Sequence, residues 1–295
     1  MILSASYKTD IPAFYGPWFA NRLTAGFCRM VNPYGGQIYT VPLTSEAVDG
    51  FVFWTRNIAP FLETLTEVRA RGFPFVVQYT VTGYPHAIET SVIKAERSVA
   101  LIHELADVFG PRVVVWRYDP ILFTSLTPPE SHIDRFASLA QALAGAVDEV
   151  VVSFAHIYRK TERNLTAAAR AGQFSWTDPE AAVKQALLTS LAGIAAANGL
   201  RMSLCAQAPL LVPGVAAARC IDVPRLSAIA GHAIAARAKP HRPCGCAQSR
   251  DIGDYDTCPH GCVYCYAVTS RTIAHQRYHA HDPEGEFLFK PGRTA

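Results

Sequence analysis

Short apolar runs alternate with longer amphipathic ones over the first two-thirds of the chain. The apolar runs, residues 1–7, 50–55, 75–82, 112–118, 149–155 and 201–205, are rich in Val, Phe, Ile and Tyr. They are apolar at consecutive positions, the pattern of parallel strands buried on both faces. Between them, residues 58–71, 91–109, 129–146 and 178–198 carry the spacing of helices. Pro129-Glu130 and Thr177-Asp178-Pro179-Glu180 supply helix starts. Arg71-Gly72, Gly110-Pro111 and Asn198-Gly199 supply helix ends.

Six strand–helix units without a domain-sized break predict an α/β fold, a partial (β/α)6-type TIM-like barrel over residues 1–223. A doubly wound nucleotide-binding sheet fits less well, because no Gly-x-Gly-x-x-Gly follows the first strand. In a barrel the active face lies where the strands end. Those ends read Tyr7-Lys8-Thr9-Asp10, Trp54-Thr55-Arg56-Asn57, Gln78-Tyr79-Thr80, Trp116-Arg117-Tyr118-Asp119-Pro120, Ser153-Phe154-Ala155-His156 and Cys205-Ala206-Gln207. Charges breaking into apolar strands need partners or a ligand, which makes Arg56, Arg117 and Asp119 candidates for catalysis. Asp10 and Asp119 are equally readable as their charge partners. His156 reads as a proton donor, a substrate ligand or a hydrogen-bonded structural residue. Arg159, Lys160 and Arg163 read as a solvated helix start or a contact for an anionic substrate.

Half of the residues are hydrophobic and 17% are charged, enough apolar material for a large core. The net charge of +3 does not by itself call for nucleic acid. The longest apolar stretches, near 186–200 and 206–218, are interrupted by Gly, Pro, Asn and Ser and fall short of a membrane span of roughly 20 residues. With no basic-then-apolar leader, the expectation is a cytoplasmic protein without a membrane partner. After Pro224 the texture changes. Residues 225–250 hold five basic side chains, no acidic ones and no aromatic platform for stacking bases. A small-molecule, peptide or nucleotide substrate is therefore expected rather than a nucleic-acid partner. Residues 224–295 are expected to form an irregular cysteine-rich segment over the barrel mouth.

Seven of the eight cysteines lie in the last third of the chain, clustering that favours metal over disulfides in a reducing compartment. Three form the loop Cys258-Pro-His-Gly-Cys262-Val-Tyr-Cys265. Thiolates this close can face one iron–sulfur centre, and three ligands leave one iron open to a non-protein ligand. A zinc site, which generally takes four ligands and would enlist His260, and inert buried thiols are the alternatives. The spacing is that of the radical S-adenosylmethionine (SAM) signature, here near the C-terminal end of the sequence. Cys205, Cys220, Cys244 and Cys246 form a second candidate group, for an auxiliary Fe–S cluster or zinc, or for packing alone. Cys28 reads as a core thiol.

The run from Cys244-Gly-Cys246 through Ser249-Arg-Asp251-Ile-Gly253 to Cys258, Cys262-Val-Tyr264-Cys265-Tyr266-Ala267 resembles the C-terminal signature of the domain of unknown function 1848 family. The opening Ser4-Ala-Ser-Tyr-Lys-Thr-Asp10-Ile-Pro12, with Trp54-Thr55-Arg56 and Trp116-Arg117-Tyr118-Asp119-Pro120, is similar too. That family resembles radical SAM proteins, and Cys262-Val-Tyr-Cys265-Tyr-Ala is similar to the spore-photoproduct-lyase-like branch. The resemblance implies a [4Fe–4S] cluster on Cys258, Cys262 and Cys265, with SAM on the open iron. It implies reductive cleavage of SAM to a 5′-deoxyadenosyl radical and a flavodoxin- or ferredoxin-like electron donor. Tyr264 would lie near the adenine and Arg117 near the SAM carboxylate, with Tyr266 and Gln207 as further cofactor contacts. It implies no substrate. An Fe–S redox protein that does not use SAM, and a metal-stapled ligand- or nucleic-acid-binding protein, are the competing functions. The tail must cross the mouth of the barrel to deliver the motif, carrying Cys244 and Cys246 towards Cys205.

Overall fold

The computed structural model describes residues 1–32, 35–238 and 244–290. Its centre is one parallel sheet of eight strands: β1 (Ile2–Ala5), β2 (Gly50–Thr55), β3 (Phe75–Thr80), β4 (Val114–Ile121), β5 (Glu149–Phe154), β6 (Arg201–Leu204), β7 (Ala216–Ala217) and β8 (Ser249–Asp251). The first six fall on the six apolar runs. The sheet order is β7-β6-β5-β4-β3-β2-β1-β8. It thus follows the chain outward from β1 to β7, with β8 added on the far side of β1 through the pairs Ile2–Ser249, Leu3–Arg250 and Ser4–Asp251.

The expected six-stranded barrel is corrected in two respects. Among the described residues the parallel sheet has eight strands and is not closed: β7 and β8 are both edges, each paired on one side. Two- and three-residue strands offer too few ladder bonds to complete a wall. Contacts outside the strands link the two ends, among them a backbone bond from the Ala247 amide to the Ile221 carbonyl at 3.0 Å.

The helices, α1 (Gly16–Ala25), α2 (Leu62–Ala70), α3 (Ala95–Phe109), α4 (Pro129–Leu143), α5 (Arg159–Gly172), α6 (Ala181–Ala197), α7 (Val223–Ala230) and α8 (Arg271–His279), connect and flank the strands. None among the described residues is long and apolar enough to cross a membrane. α3 buries Ser98, Leu101, Ile102 and Leu105, and α4 buries His132, Phe136, Leu139, Ala140 and Leu143. These are the i, i+3, i+4 stripes of helices laid on a sheet. An antiparallel pair, Phe27–Val31 with Ile38–Pro42, sits beside α1.

Strand side chains alternate between faces, and the two faces differ. Leu3, Phe51, Phe53, Phe75, Val77, Val114, Trp116, Val150, Val152 and Leu204 belong to the main core shared with the helices. Ile2, Val52, Val76, Val115 and Val151 form a second cluster on the opposite face. Two residues further along those strands the second face turns polar, with Ser4, Trp54, Gln78, Arg117 and Ser153. The polar groups lie towards the carboxyl ends, where the chemistry-bearing residues gather.

Candidate metal and cofactor site

The C-terminal segment is fastened to those carboxyl ends at several points. Asp251, buried at the end of β8, accepts hydrogen bonds from Ser4 Oγ (2.8 Å), Ser6 Oγ (2.7 Å), the Tyr7 amide (3.1 Å) and the Gly253 amide (3.0 Å). Lys8 Nζ adds an ion pair at 3.7 Å. Burial still raises the Asp251 pKa, with Lys8 and the two serines opposing. Further on, Tyr15 Oη donates to the Thr257 carbonyl at 2.5 Å. His260 Nε2 lies 2.8 Å from Asp10 Oδ2, and its Nδ1 3.3 Å from the Ser91 carbonyl.

These anchors place the Cys258–Cys265 loop beside the ends of β1, β2 and β3. Gly261 turns the loop with a left-handed φ of +74°, and a Cβ there would meet Arg271 Nε at 3.0 Å. Cys262 then bridges to Glu89, and the Val263 amide bonds the Ile88 carbonyl at 3.1 Å. Tyr264 enters a buried polar knot. Arg56 donates to Glu89 Oε1 at 2.8 Å and to the Tyr264 hydroxyl, the Tyr264 hydroxyl donates to Glu89, and Thr82 Oγ1 donates to Glu89 at 2.7 Å. Burial works against the Arg56 charge, but Glu89 and Tyr264 hold its pKa well above the ordinary range.

The three thiols of the loop are half-buried. Burial raises all three pKa values. It pushes Cys262 up to about 12 against the pull of Arg56, and lifts Cys258 well above its usual range with help from Asp10 and the other two cysteines. The Ala267 amide points at Cys265 Sγ, 3.4 Å away, the kind of contact that orients and stabilises a thiolate ligand. Among the described residues no three His, Cys, Asp or Glu side chains converge on a single point.

A second group of cysteines lies on the polar face of the sheet. Cys205 Sγ and Cys220 Sγ are 3.4 Å apart, and Cys246 Sγ accepts the Cys220 amide at 3.2 Å. Cys244 packs against the same cluster. Arg117 Nη1 donates to Cys220 Sγ at 3.2 Å and to Gln78 Oε1 at 3.2 Å, while Gln78 Nε2 donates to the Cys220 carbonyl at 3.0 Å. Hydrogen bonds from Cys205 and Cys246, reinforced by Arg117, hold the Cys220 thiol below its usual range. They push the Cys205 and Cys246 thiols up.

The structure thus distributes the predicted residues in distinct ways. Arg117 pairs with Asp119 at 2.7 Å, lies 5.0 Å over the Trp54 ring, and sits with the second cysteine group. Asp119 also accepts from Ser153. Arg56 sits with the three-cysteine loop, and its carboxylate partner is Glu89. Asp10 instead takes the Arg56 backbone amide at 2.8 Å. Gln207 is spent on the backbone of Phe154, accepting its amide at 2.8 Å and donating to its carbonyl at 3.2 Å. Tyr266 is exposed and donates its hydroxyl to the Tyr7 carbonyl. His156 is exposed on the loop after β5. Glu89, Thr82 and Asp251 are the site residues that strand-end reading does not reach. Asp251 alone carried a signal, inside the Ser249-Arg-Asp251 signature. Of the basic 225–250 stretch, Arg225 is buried and paired with Asp148 and Glu149 at 2.7 Å each. Lys239, His241 and Arg242 lie outside the described residues.

The model of one family, described as "Domain of unknown function (DUF1848)", matches residues 2–267. The chain belongs to that family. No curated protein and no solved structure matches it.

Proposed function

We propose that this member of the domain of unknown function 1848 family is a radical SAM-type enzyme acting on the carboxyl-end face of its sheet. Cys258, Cys262 and Cys265 would hold a [4Fe–4S] cluster. The observation that carries this reading is that the loop gathers three thiols, with no fourth protein ligand beside them among the described residues. His260, the nearest candidate in sequence, has one ring nitrogen on Asp10 and the other at the Ser91 carbonyl. The other cysteines of the tail region, Cys244 and Cys246, pack with a different group. A cluster held by three thiolates keeps one iron for an outside ligand, and a zinc site would want four.

The donor set fits the cluster. Three soft thiols share one loop, an amide faces Cys265 Sγ, and the ring of Tyr264 closes one side. When bound, such a cluster supplies the electron that cleaves SAM to methionine and a 5′-deoxyadenosyl radical. The work of the chain is positioning. Arg56 and Glu89 lock Tyr264, so the loop keeps one orientation against β2 and β3. His260 and Asp10 tie it to β1. Exposed Tyr266 and His156 and half-buried Asp119 are among the predicted residues a ligand can reach without unpacking the core. Arg117 can turn to a SAM carboxylate only by giving up bonds to Asp119, Gln78 or Cys220. We read the sheet as an incompletely closed (β/α) barrel whose open seam leaves that face accessible.

The test is anaerobic. The purified chain is assayed for iron and sulfide, reduced with dithionite and given SAM, and 5′-deoxyadenosine is quantified. Iron with sulfide, followed by SAM cleavage, is the expected result. Zinc without iron, or loaded iron that never cleaves SAM, contradicts the reading.

A further inference from the structure

The second cysteine group combines contacts that packing alone does not explain. Cys205 comes from the end of β6, Cys220 from just after β7, and Cys244 and Cys246 from the approach to β8. Three separate stretches of chain therefore bring thiols into one cluster, although among the described residues no three of them yet converge on a single point. They meet between β7 and β8, the two strands at the open edges of the sheet. Near that seam, main-chain pairing is reduced to contacts such as Ala247 N to Ile221 O.

The geometry points to a structural zinc site on Cys205, Cys220, Cys244 and Cys246 that clamps the open seam of the sheet. The spacing selects the metal. At Zn–S distances of about 2.3 Å, a tetrahedral ion holds its sulfurs about 3.8 Å from one another. Cys205 and Cys220 stand at 3.4 Å, close to that edge and far beyond a disulfide of about 2.05 Å. Thiolates on separate corners of a four-iron cluster would stand wider apart, so a single ion fits this pair better. The paired Cys244-x-Cys246 supplies the other two ligands from one short turn.

The surroundings fit a tetrathiolate, which carries two negative charges with zinc bound. Arg117 faces Cys220 Sγ at 3.2 Å and offers positive charge, and the Cys220 amide already points at Cys246 Sγ. Both are outer contacts of the kind that hold ligating thiolates in place. At present the thiols hydrogen-bond to one another. Coordination would release the protons that the thiols still carry, replace those S–H contacts, and draw the sulfurs to a common centre. With all four positions filled, such a site has a structural rather than catalytic role. Its effect would be to fix the approach to β8, and with it the tail that carries the three-cysteine loop.

Two variants of the full-length chain separate this site from the proposed cluster. In Cys258→Ala/Cys262→Ala/Cys265→Ala, elemental analysis should still find about one zinc per chain. In Cys220→Ser, with the loop intact, the zinc should fall at least tenfold. Zinc-edge X-ray absorption on the unaltered protein should give four sulfur neighbours at about 2.3 Å, which reports the site even where Cys220→Ser fails to fold. Zinc lost with the loop cysteines but kept in Cys220→Ser would overturn the proposal. So would iron and sulfide at the second group, or a Cys205–Cys220 disulfide in the purified protein.

Discussion

The hydroxyl of Tyr264, inside the three-cysteine loop, donates to the carboxylate of Glu89, 175 residues away, and Arg56 binds both. Each of the three side chains is buried. The loop is therefore positioned by a charged knot in the interior, not by surface contacts, and the knot makes the first prediction. Arg56→Met leaves Glu89 buried without its countercharge and should cost roughly 3–5 kcal/mol in urea unfolding. Arg56→Met/Glu89→Gln should recover part of that loss. A double variant no more stable than the single one would show that the ion pair is not what positions the loop.

Gly253 tests the anchor between the tail and β1. A Cβ at this position would lie 2.0 Å from Ser6 Oγ and 2.5 Å from Ser6 Cβ. Gly253→Ala must displace the serine that caps Asp251, so a loss of about 2 kcal/mol or more is expected. Gly253→Ala/Ser6→Gly, which removes the opposing side chain, should restore the urea midpoint at least in part.

His132 predicts an acid-sensitive core. Its ring is fully buried between the Tyr118 hydroxyl at 2.9 Å and the Leu122 carbonyl at 3.1 Å, and burial lowers its pKa from 6.5 to about 4. Above pH 6.5 the folded and unfolded chains both carry a neutral ring, and the group adds no pH dependence. As pH falls through 6.5 the unfolded ring takes a proton that the folded one refuses until about pH 4, so stability drops across that window by about 3 kcal/mol. His132→Gln should be less stable near neutral pH but should lose less between pH 6.5 and 4. Equal slopes for the two proteins would contradict the assignment.

The parts of this molecule that could be read from sequence are those set by local pattern. Strands β1 to β6 follow unbroken apolar runs, and helices α3, α4 and α6 follow stripes with punctuated ends. The missing elements carry no such pattern. β7 is two exposed alanines, and β8 is a polar tripeptide held by pairing with β1 and by the bonds to Asp251. Glu89 lies in a loop between β3 and α3, and its partners come from 33 and 175 residues away. Arg225 looks like one of a basic run until Asp148 and Glu149 enclose it. The cysteine spacing identified both groups of thiols, but only the fold brings Cys205, Cys220 and Cys246 into contact and sets Arg117 beside them.

Cofactor loading tests the assignment of ligands. Cys258→Ala, Cys262→Ala and Cys265→Ala should each lose most of the iron and sulfide after anaerobic reconstitution, whereas Cys28→Ala, whose thiol sits in the main core, should keep both. A Cys262→Ala protein with unchanged iron would remove Cys262 from the ligand set.

The most direct measurement is electron paramagnetic resonance of the dithionite-reduced, iron-loaded protein, recorded with and without SAM. The account predicts a signal from a reduced [4Fe–4S] cluster whose g-values shift when SAM is added, because SAM occupies the iron that the three cysteines leave open. A cluster signal identical in the presence and absence of saturating SAM would contradict it.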